Sequence, residues 1–162
     1  MSLRPDLVDC WIVRRAGDGL ETLLLRRAPG RILPGLWQCV SGSLEPGERI
    51  ALGALRELAE ETGIAADAIE AFYDLDLVNQ FHEPSVDAVV ASAVFAVVVR
   101  PGTEPVRSHE HDGHRWVAVG DAIAEVVWPG YREALRRIAE DLADPARAAW
   151  FELTLAGARA RV

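Results

Sequence analysis

Residues 42–64 read GSLEPGERIALGALRELAEETGI and contain five glutamates. Three of these, Glu57, Glu60 and Glu61, crowd together near the end of the stretch. The apolar spacing over residues 49–62 predicts a helix, and a glycine follows it where a left-handed C-terminal cap belongs. Because like charges three and four positions apart repel each other on a helix, this crowding predicts a cationic partner for the carboxylates.

The two faces of this predicted helix differ in chemistry. On a helical wheel at 100° per residue, one face carries Ala51, Leu52, Leu55, Leu58 and Ala59. The opposite face carries Gly53, Glu57, Glu60 and Glu61. The wheel predicts that the first face is buried and that the second presents a carboxylate patch. The missing side chain of Gly53 either leaves room beside the carboxylates for a bulky group or is a tolerated surface glycine.

Three carboxylates on one helical face suit a hard divalent cation. Mg²⁺ prefers oxygen ligands and is usually held by one or two carboxylates together with waters and substrate phosphates. The alternative is a solvated acidic face whose charge is balanced by neighbouring arginines such as Arg49 and Arg56. The carboxylates by themselves leave both interpretations open.

The arrangement of the whole stretch resembles the Nudix box of the Nudix hydrolase family. The matching positions are Gly42, Glu48, Arg56, Glu57, Leu58, Glu60, Glu61, Gly63 and Ile64. The resemblance implies an α+β fold in which a mixed β-sheet is sandwiched between α-helices. It also implies Mg²⁺- or Mn²⁺-dependent hydrolysis of a diphosphate that is linked to another group.

The resemblance further implies roles for individual residues. The metal-binding positions of the family map onto Glu57, Glu60, Glu61 and the backbone carbonyl of Gly42. Through the metal, Glu57 is also expected to be catalytic. The pair that orients these carboxylates maps onto Glu48 and Arg56.

The general base, which takes a proton from the attacking water, has no fixed position in the family. We expect it to be Glu61 or Glu110, and Glu110 lies in the stretch SHEHDGHRW, where a loop folds over the metal site in relatives. The alternative for Glu110 is a solvated loop residue. His109, His111 and His114 share this stretch without an established zinc-ligand spacing, so phosphate contact or simple exposure is expected instead of zinc.

The pattern outside the box predicts the remaining elements. Apolar runs predict strands over residues 7–15, 21–27, 36–42, 71–81 and 86–99, and residues 109–119 predict a loop that leads into a strand. A second helix is predicted over residues 129–143, with an apolar stripe of Tyr131, Leu135, Ile138 and Leu142. Because strands and helices do not alternate regularly, we expect a single α+β domain over residues 1–162 with its core at about residues 5–142.

The C-terminal residues 148–162 follow this core. Phe151, Leu153 and Leu155 alternate along the chain, which predicts an edge strand or a partner contact. A loosely packed terminus is the alternative. The sequence leaves open whether the protein forms a homodimer.

Composition argues against several classes of function. The formal net charge is −8 at pH 7, which disfavours duplex nucleic acid as a partner because such binding depends on Lys and Arg. The most apolar run, residues 86–99, is too short to span a bilayer, and the first ten residues contain no apolar signal segment. We therefore expect a cytoplasmic protein whose cysteines, Cys10 and Cys39, are buried and reduced.

The residues around the box suggest the substrate class. The sequence WQCVSGS, residues 37–43, is similar to the entry into the box of the bacterial dihydroneopterin triphosphate pyrophosphohydrolase branch, which also accepts nucleoside triphosphates. This resemblance implies a small-molecule substrate that is cleaved to pyrophosphate or a monophosphate. Trp37 or Phe81 can stack on a flat heterocycle, with core packing as the alternative for Trp37. Of the adjacent Arg26 and Arg27, we expect Arg27 to reach the substrate phosphates.

Two other substrate classes and one non-enzymatic function stay open. The proline of ADP-ribose-hydrolysing relatives and the tyrosine of diadenosine-polyphosphate relatives are not seen around residues 77–82. Some Nudix domains bind nucleotides as regulatory modules without turnover, but these commonly lose box glutamates. Because every box glutamate is kept here, we expect an enzyme.

Overall fold

The chain forms eight strands and four α-helices in a computed structural model that describes residues 2–161. The strands are β1 (Leu7–Ala16), β2 (Gly19–Arg27), β3 (Trp37–Gln38), β4 (Val40–Ser43), β5 (Ile69–Glu83), β6 (Ala88–Val99), β7 (His111–Ala118) and β8 (Glu152–Leu153). The helices are α1 (Ile50–Thr62), α2 (Val119–Glu125), α3 (Pro129–Arg137) and α4 (Pro145–Ala148). A 3₁₀ turn, Ala66–Ala68, precedes β5, and a π-helical turn, Ile138–Leu142, continues α3.

The strands form one mixed sheet with the order β3-β2-β1-β6-β5-β8, in which β4 also pairs with β1 and β7 with β2. Strands β1 and β6 run parallel, and the other pairs are antiparallel. Helix α1 covers one face of the sheet, called the α1 face below, and α2, α3 and α4 cover the other, called the α3 face. The predicted α+β fold, a mixed sheet sandwiched between helices, is confirmed.

Both faces of the central strand β1 are buried, because successive side chains point to opposite sides of a sheet. Val8, Cys10 and Ile12 belong to the core on the α1 face, and Trp11 belongs to the core on the α3 face. Each such apolar side chain contributes about 1.5–3 kcal/mol when it is fully buried. Cys10 and Cys39 are buried free thiols, as predicted, and burial raises the pKa of both.

The predicted strand over residues 36–42 is two short strands in the structure. Gln38 of β3 pairs with Leu25 of β2, whereas Val40 of β4 pairs with Cys10 of β1. The chain therefore changes its partner strand between β3 and β4. A continuous apolar run does not show this change, because it depends on which strand lies alongside.

The predicted strand over residues 86–99 begins at Ala88, and only its second half is a buried central strand. Val94–Val99 are buried, whereas Val86 and Val89 are 64% and 70% exposed. The reason is that β5 and β6 continue beyond the last pair of β6 with β1, at Ser92, as a two-stranded ribbon in which residues 80–83 pair with residues 88–91. This ribbon projects past the part of the sheet that helices cover.

Two expectations for the second half of the chain are wrong in detail. His111 and His114 lie in β7 rather than in a loop. Residues 119–125 form α2, which the sequence pattern did not reveal because seven residues give little periodic signal. Val119 and Ala122 are buried on this helix against the α3-face core.

The C-terminal part follows the predicted pattern. The stripe of α3 and its π-helical turn is buried, namely Tyr131, Leu135, Ile138 and Leu142. Strand β8 pairs with β5 through Leu153 and Phe72, which confirms the edge-strand prediction. Within residues 2–161 no helix combines the length and apolarity needed to cross a bilayer.

Candidate functional site

The buried face of α1 is rotated relative to the wheel prediction. Its buried residues are Gly53, Ala54, Leu58, Glu61 and Thr62, whereas Ala59 is exposed. Glu61 is only 3% exposed. The segment around Val106 and Ser108 crosses the last turn, where their N–H groups donate to the carbonyls of residues 62 and 61 at 2.8 and 3.1 Å. The prediction that the clustered glutamates form one exposed patch is therefore wrong for Glu61.

Two glycines of the box have different tasks. Gly63 has a φ of 69° and donates its N–H to the carbonyl of Ala59, which confirms the predicted cap. Gly53 does not leave an open space beside the carboxylates. A Cβ at this position would lie 2.4 Å from Leu44 Cδ2 and 3.0 Å from Glu48 Oε2. The expected room is filled by these two side chains, which pack against the helix backbone.

Arg56 is the centre of an ion-pair network on α1. Its Nε and Nη2 donate to the two carboxylate oxygens of Glu48 at 2.7 and 3.0 Å, and Nη2 also donates to the carbonyl of Ser43. Its Nη1 donates to Glu57 at 2.8 Å and to Glu60 at 3.1 Å. The bond from Arg56 is the largest cause that lowers the pKa of Glu48 to about 2. A planar guanidinium can make these contacts at once because its donors form a fixed fork.

Glu57 lies directly over the backbone of Gly42. A Cβ at residue 42 would be 2.0 Å from the carboxyl carbon of Glu57, so only glycine admits the carboxylate here. Burial raises the pKa of Glu57, while Arg56 opposes this shift. The end of β4 and the middle of α1 are thereby brought into contact at a carboxylate.

Carboxylates also meet at the last turn of α1. Burial, followed by the charge of Glu110 and then that of Glu57, raises the pKa of Glu61 to about 9. The Oε2 atom of Glu61 is buried and has no hydrogen-bond partner among residues 2–161. A buried carboxylate oxygen of this kind is costly unless a proton or a cation binds it. Glu60 lies on the outer flank, where it is 58% exposed and paired with Arg56.

Arg31 lies beside Glu110, although no sequence pattern marked it. Its Nη2 donates to Glu110 Oε1 at 3.0 Å and contacts Nε2 of His109 at 2.7 Å. The only available signal was a lone arginine in the loop APGRILPG. The contact joins this loop to the segment that carries Glu110, and neither loop has a periodic pattern that could predict it.

Arg27 is half-buried and bonds to groups of the protein. Its Nε donates to the carbonyl of Ile32 at 2.5 Å, and its Nη1 donates to Gln38 Oε1 at 3.2 Å. The amide nitrogen of Gln38 lies 3.0 Å from Nε2 of His111, a buried ring whose pKa is lowered mainly by burial. Arg27 therefore supports the loop that carries Arg31.

The three histidines are dispersed. His109 contacts Arg31, His111 is buried in β7, and His114 lies 3.9 Å from Glu104. Within residues 2–161 no three Cys, His, Asp or Glu side chains are gathered as a ready metal-binding group. The distribution of the histidines gives no support to a zinc site.

The two aromatic candidates occupy different environments. Trp37 packs against the α3-face core, and the guanidinium of Arg115 lies 4.3 Å from the centroid of its ring. This contact favours the packing role for Trp37. Phe81 lies on the ribbon opposite Val90 and is 42% exposed, so its ring is accessible to a flat ligand.

The chemistry at the end of α1 fits a divalent cation. Carboxylate oxygens are the donors that Mg²⁺ prefers, and they are supplied here by Glu57, Glu60 and Glu61. Glu60 is held aside by an exposed ion pair to Arg56, and such pairs contribute only about 0–1 kcal/mol. Release of Glu60 from this ion pair therefore costs little. The Oε2 atom of Glu61, which has no partner among residues 2–161, and the Glu57 carboxylate over Gly42 would be the other donors.

Known proteins share this sequence pattern and this fold. A family model described as the NUDIX domain matches residues 3–138. The chain is 37% identical over 128 residues, 78% of its length, to a Myxococcus xanthus protein described as an octanoyltransferase. The match covers 34% of that protein, so the chain spans about a third of the length of this relative.

Two solved structures have closely similar architecture. The Caenorhabditis elegans Ap4A hydrolase in a binary complex aligns with a TM-score of 0.72 at 22% identity, over 86% of this chain and 98% of that chain. The Escherichia coli dihydroneopterin triphosphate pyrophosphohydrolase aligns with a TM-score of 0.70 at 23% identity, over 84% and 95%. At 22% and 23% identity, these two alignments show a shared fold and do not show a shared substrate. Because the family model covers most of the chain, the protein belongs to the Nudix hydrolase family.

Proposed function

We propose that this protein hydrolyses a diphosphate linkage in a nucleoside- or pterin-triphosphate-like substrate, with Mg²⁺ or Mn²⁺ as its cofactor. The observation that carries the proposal is the buried carboxylate of Glu61, whose Oε2 has no partner within residues 2–161. Burial, followed by the charges of the neighbouring Glu110 and Glu57, raises its pKa. A site that concentrates negative charge in this way is suited to bind cations that bridge it to phosphates.

Glu57, Glu60 and Glu61 would hold the metal, together with the carbonyl of Gly42. When bound, such an ion neutralises phosphate charge and lowers the pKa of water. Arg56 positions the carboxylates, since it bonds to Glu57 and Glu60 while Glu48 anchors its guanidinium at two points. Like carboxylates within a few ångströms repel each other, so this positioning must be maintained by fixed bonds.

Glu110 is the proposed general base. It is partly exposed and lies on a segment that is anchored to the last turn of α1, beside Glu61. In the reaction, the water oxygen forms a bond to phosphorus while the bond from that phosphorus to the bridging oxygen breaks. The bridging oxygen leaves with the departing phosphate, and Glu110 accepts the proton of the water. Arg31, bonded to Glu110 at 3.0 Å, is placed to contact the phosphates.

Two accessible groups and the fold relatives support the proposed substrate class. Phe81 has an exposed ring that can stack on a heterocycle. Arg31, rather than Arg27, is the proposed phosphate contact, because the guanidinium of Arg27 is bonded to other groups of the protein. The fold relatives named for Ap4A and for dihydroneopterin triphosphate support a search among polyphosphates. Octanoyl transfer is not proposed, because the match covers only 34% of the relative that carries this name.

We expect Mg²⁺-dependent release of phosphate or pyrophosphate from at least one member of a substrate panel. The panel contains dihydroneopterin triphosphate, dATP, 8-oxo-dGTP, ADP-ribose and diadenosine tetraphosphate, each assayed with Mg²⁺ and with EDTA. Turnover of one of the two triphosphate classes would support the proposal, and turnover of ADP-ribose or the dinucleotide alone would redirect it to those substrates. Binding without metal-dependent release would show a regulatory module instead of an enzyme.

Gly42→Ala is expected to lower kcat on the best panel substrate about 10- to 100-fold, the range seen when a group that supports a metal ligand is lost. The reason is that the new Cβ would occupy the position of the Glu57 carboxylate. Gly120→Ala is the matched control, because a Cβ at Gly120 meets no atom within 4 Å. Equal activity of the two variants would show that Gly42 is not part of the site.

A further inference from the structure

A row of polar side chains crosses the α3 face of the sheet. Ser41 of β4 pairs directly with Asp9 of β1, and Ser92 of β6 pairs directly with Asn79 of β5. Since β1 lies between β4 and β6 in the sheet, the four residues extend over four adjacent strands. Their neighbours on this face are mainly apolar core residues such as Trp11. The polar row therefore interrupts the core at its edge.

Asp9 is the only acid of this row and lies at its centre. It is 4% exposed, and burial raises its pKa to about 6 although Ser41, Ser92 and Asn79 face it as hydrogen-bond donors. Ser92 is 1% exposed, and its hydroxyl completes no hydrogen bond of normal geometry within residues 2–161. A buried polar row with an acid at its centre is costly to remove from water. The metal site described above does not use it.

Asn79 is fixed from two sides at the end of the row. The amide of Asn79 faces the carboxylate of Asp9 as a hydrogen-bond donor, and an asparagine amide has a further N–H and an acceptor oxygen with which it can bond to a ligand. On the other side the amide packs against Gly130 at the start of α3, where a Cβ would lie 2.6 Å from both Cγ and Oδ1 of Asn79. Asn79 is partly exposed, and Phe81 follows it on the same face of β5.

We propose that Asn79, oriented by Asp9 and Gly130, recognises the base of the substrate and selects heterocycles that carry an amino group beside an unprotonated ring nitrogen. Its Oδ1 accepts from the amino group while its N–H donates to the ring nitrogen, the two-point geometry by which an asparagine recognises adenine. Adenine, cytosine, guanine and the pterin ring offer such an edge, whereas uracil and hypoxanthine lack the amino group. Phe81 supplies the stacking surface for the same ring.

The placement of the row agrees with the length of such a ligand. Ser41 lies at the metal end, where its backbone faces the carboxylate of Glu61. Asn79 lies three strands away, which corresponds to roughly 14 Å at 4.7–4.9 Å per strand. An extended nucleotide covers this distance from its phosphates to its base. The inference rests on the proposed function for the class of ligand, but it concerns base selection and not the chemical step.

The experiment measures binding, so that it does not depend on turnover. The α,β-methylene analogues of ATP, ITP, CTP and UTP are titrated calorimetrically into the protein with Mg²⁺. We expect the ATP analogue to bind at least about tenfold more tightly than the ITP analogue, and the CTP analogue similarly more tightly than the UTP analogue, as one two-point contact provides. Asn79→Ala is expected to reduce both ratios to below about threefold.

Gly130→Ala should reproduce this loss, because the added methyl group displaces the amide of Asn79. The matched controls are Gly120→Ala, on a helix with open space, and Gln80→Ala, next to Asn79 on the opposite face of the exposed ribbon. Both should keep the wild-type ratios. Equal binding of the four analogues, absence of binding, or ratios that survive in Asn79→Ala would each overturn the inference. Selective binding without turnover would support base selection by Asn79 and refute the hydrolase proposal. Turnover without selective binding would support the hydrolase proposal and refute base selection by Asn79.

Discussion

Replacement of Glu61 by glutamine is expected to lower kcat about 10²- to 10³-fold, the effect of losing one charged or donor group that stabilises a transition state. Without metal at pH 7 the variant is expected to be more stable than the wild type. Burial and the charges of Glu110 and Glu57 raise the pKa of Glu61 to about 9, so this carboxylate must bind a proton when the protein folds, a cost that glutamine avoids. Activity and stability should therefore change in opposite directions. Initial rates on the best substrate and thermal melting in EDTA measure the two effects.

Glu110→Gln is the informative comparison for this variant. Wild-type protein should melt at a higher temperature when Mg²⁺ is added, because a ligand that binds only the folded state stabilises it. Glu61→Gln should lose most of this Mg²⁺-induced increase, whereas Glu110→Gln should keep it and still lose activity. If Glu61→Gln retained both the increase and a normal rate, the metal-binding role of Glu61 would be wrong.

Arg56→Ala is expected to reduce the free energy of unfolding by about 2–3 kcal/mol, somewhat less than the loss of a fully buried ion pair. Arg56 is 23% exposed and Glu48 is 14% exposed, so the carboxylate would stay largely buried without its two-point partner. The folded-state pKa of Glu48 is lowered to about 2 from 4.5. Its stabilisation is therefore fully present above about pH 4.5 and is lost as the pH falls towards 2. Urea unfolding at pH 7 and pH 3 should show a smaller difference between the two proteins at the lower pH.

Arg49→Ala is the matched control for this experiment. The guanidinium of Arg49 makes an exposed contact with the carbonyl of Gly157 at 3.3 Å, and surface contacts of this kind contribute little. Arg56→Lys should restore only part of the stability, because an ammonium group cannot bond to both oxygens of Glu48 in the same plane. Full recovery by lysine would show that charge alone, rather than the geometry of the guanidinium, maintains the network.

The elements that the sequence predicts well are those whose signal is local. The helix over residues 49–62 and its cap at Gly63 follow from apolar spacing and from the backbone freedom of glycine. The stripe of α3 follows from helical periodicity in the same way. In contrast, α2 is too short to produce a periodic signal, and the split between β3 and β4 depends on which strands lie beside them. Those features could not be predicted from local patterns.

The features of the candidate site likewise separate into those that have a local sequence signal and those that do not. The sequence by itself determined that the chain contains a complete box, because the spacing of its glutamates, arginine and glycines is a property of one continuous segment. It did not determine the burial of Glu61 or the nearness of Glu110, which depend on a segment more than forty residues later crossing the end of α1. Nor did it mark Arg31 as a neighbour of Glu110.

The row from Ser41 to Asn79 is the clearest case of a feature that only the tertiary structure decided. Each of its members is an ordinary polar residue in its own strand, and the strands are separated along the chain by loops and by α1. Only the lateral register of β4, β1, β6 and β5 brings the four side chains together. Register depends on contacts between distant segments, and local sequence patterns carry no information about those contacts.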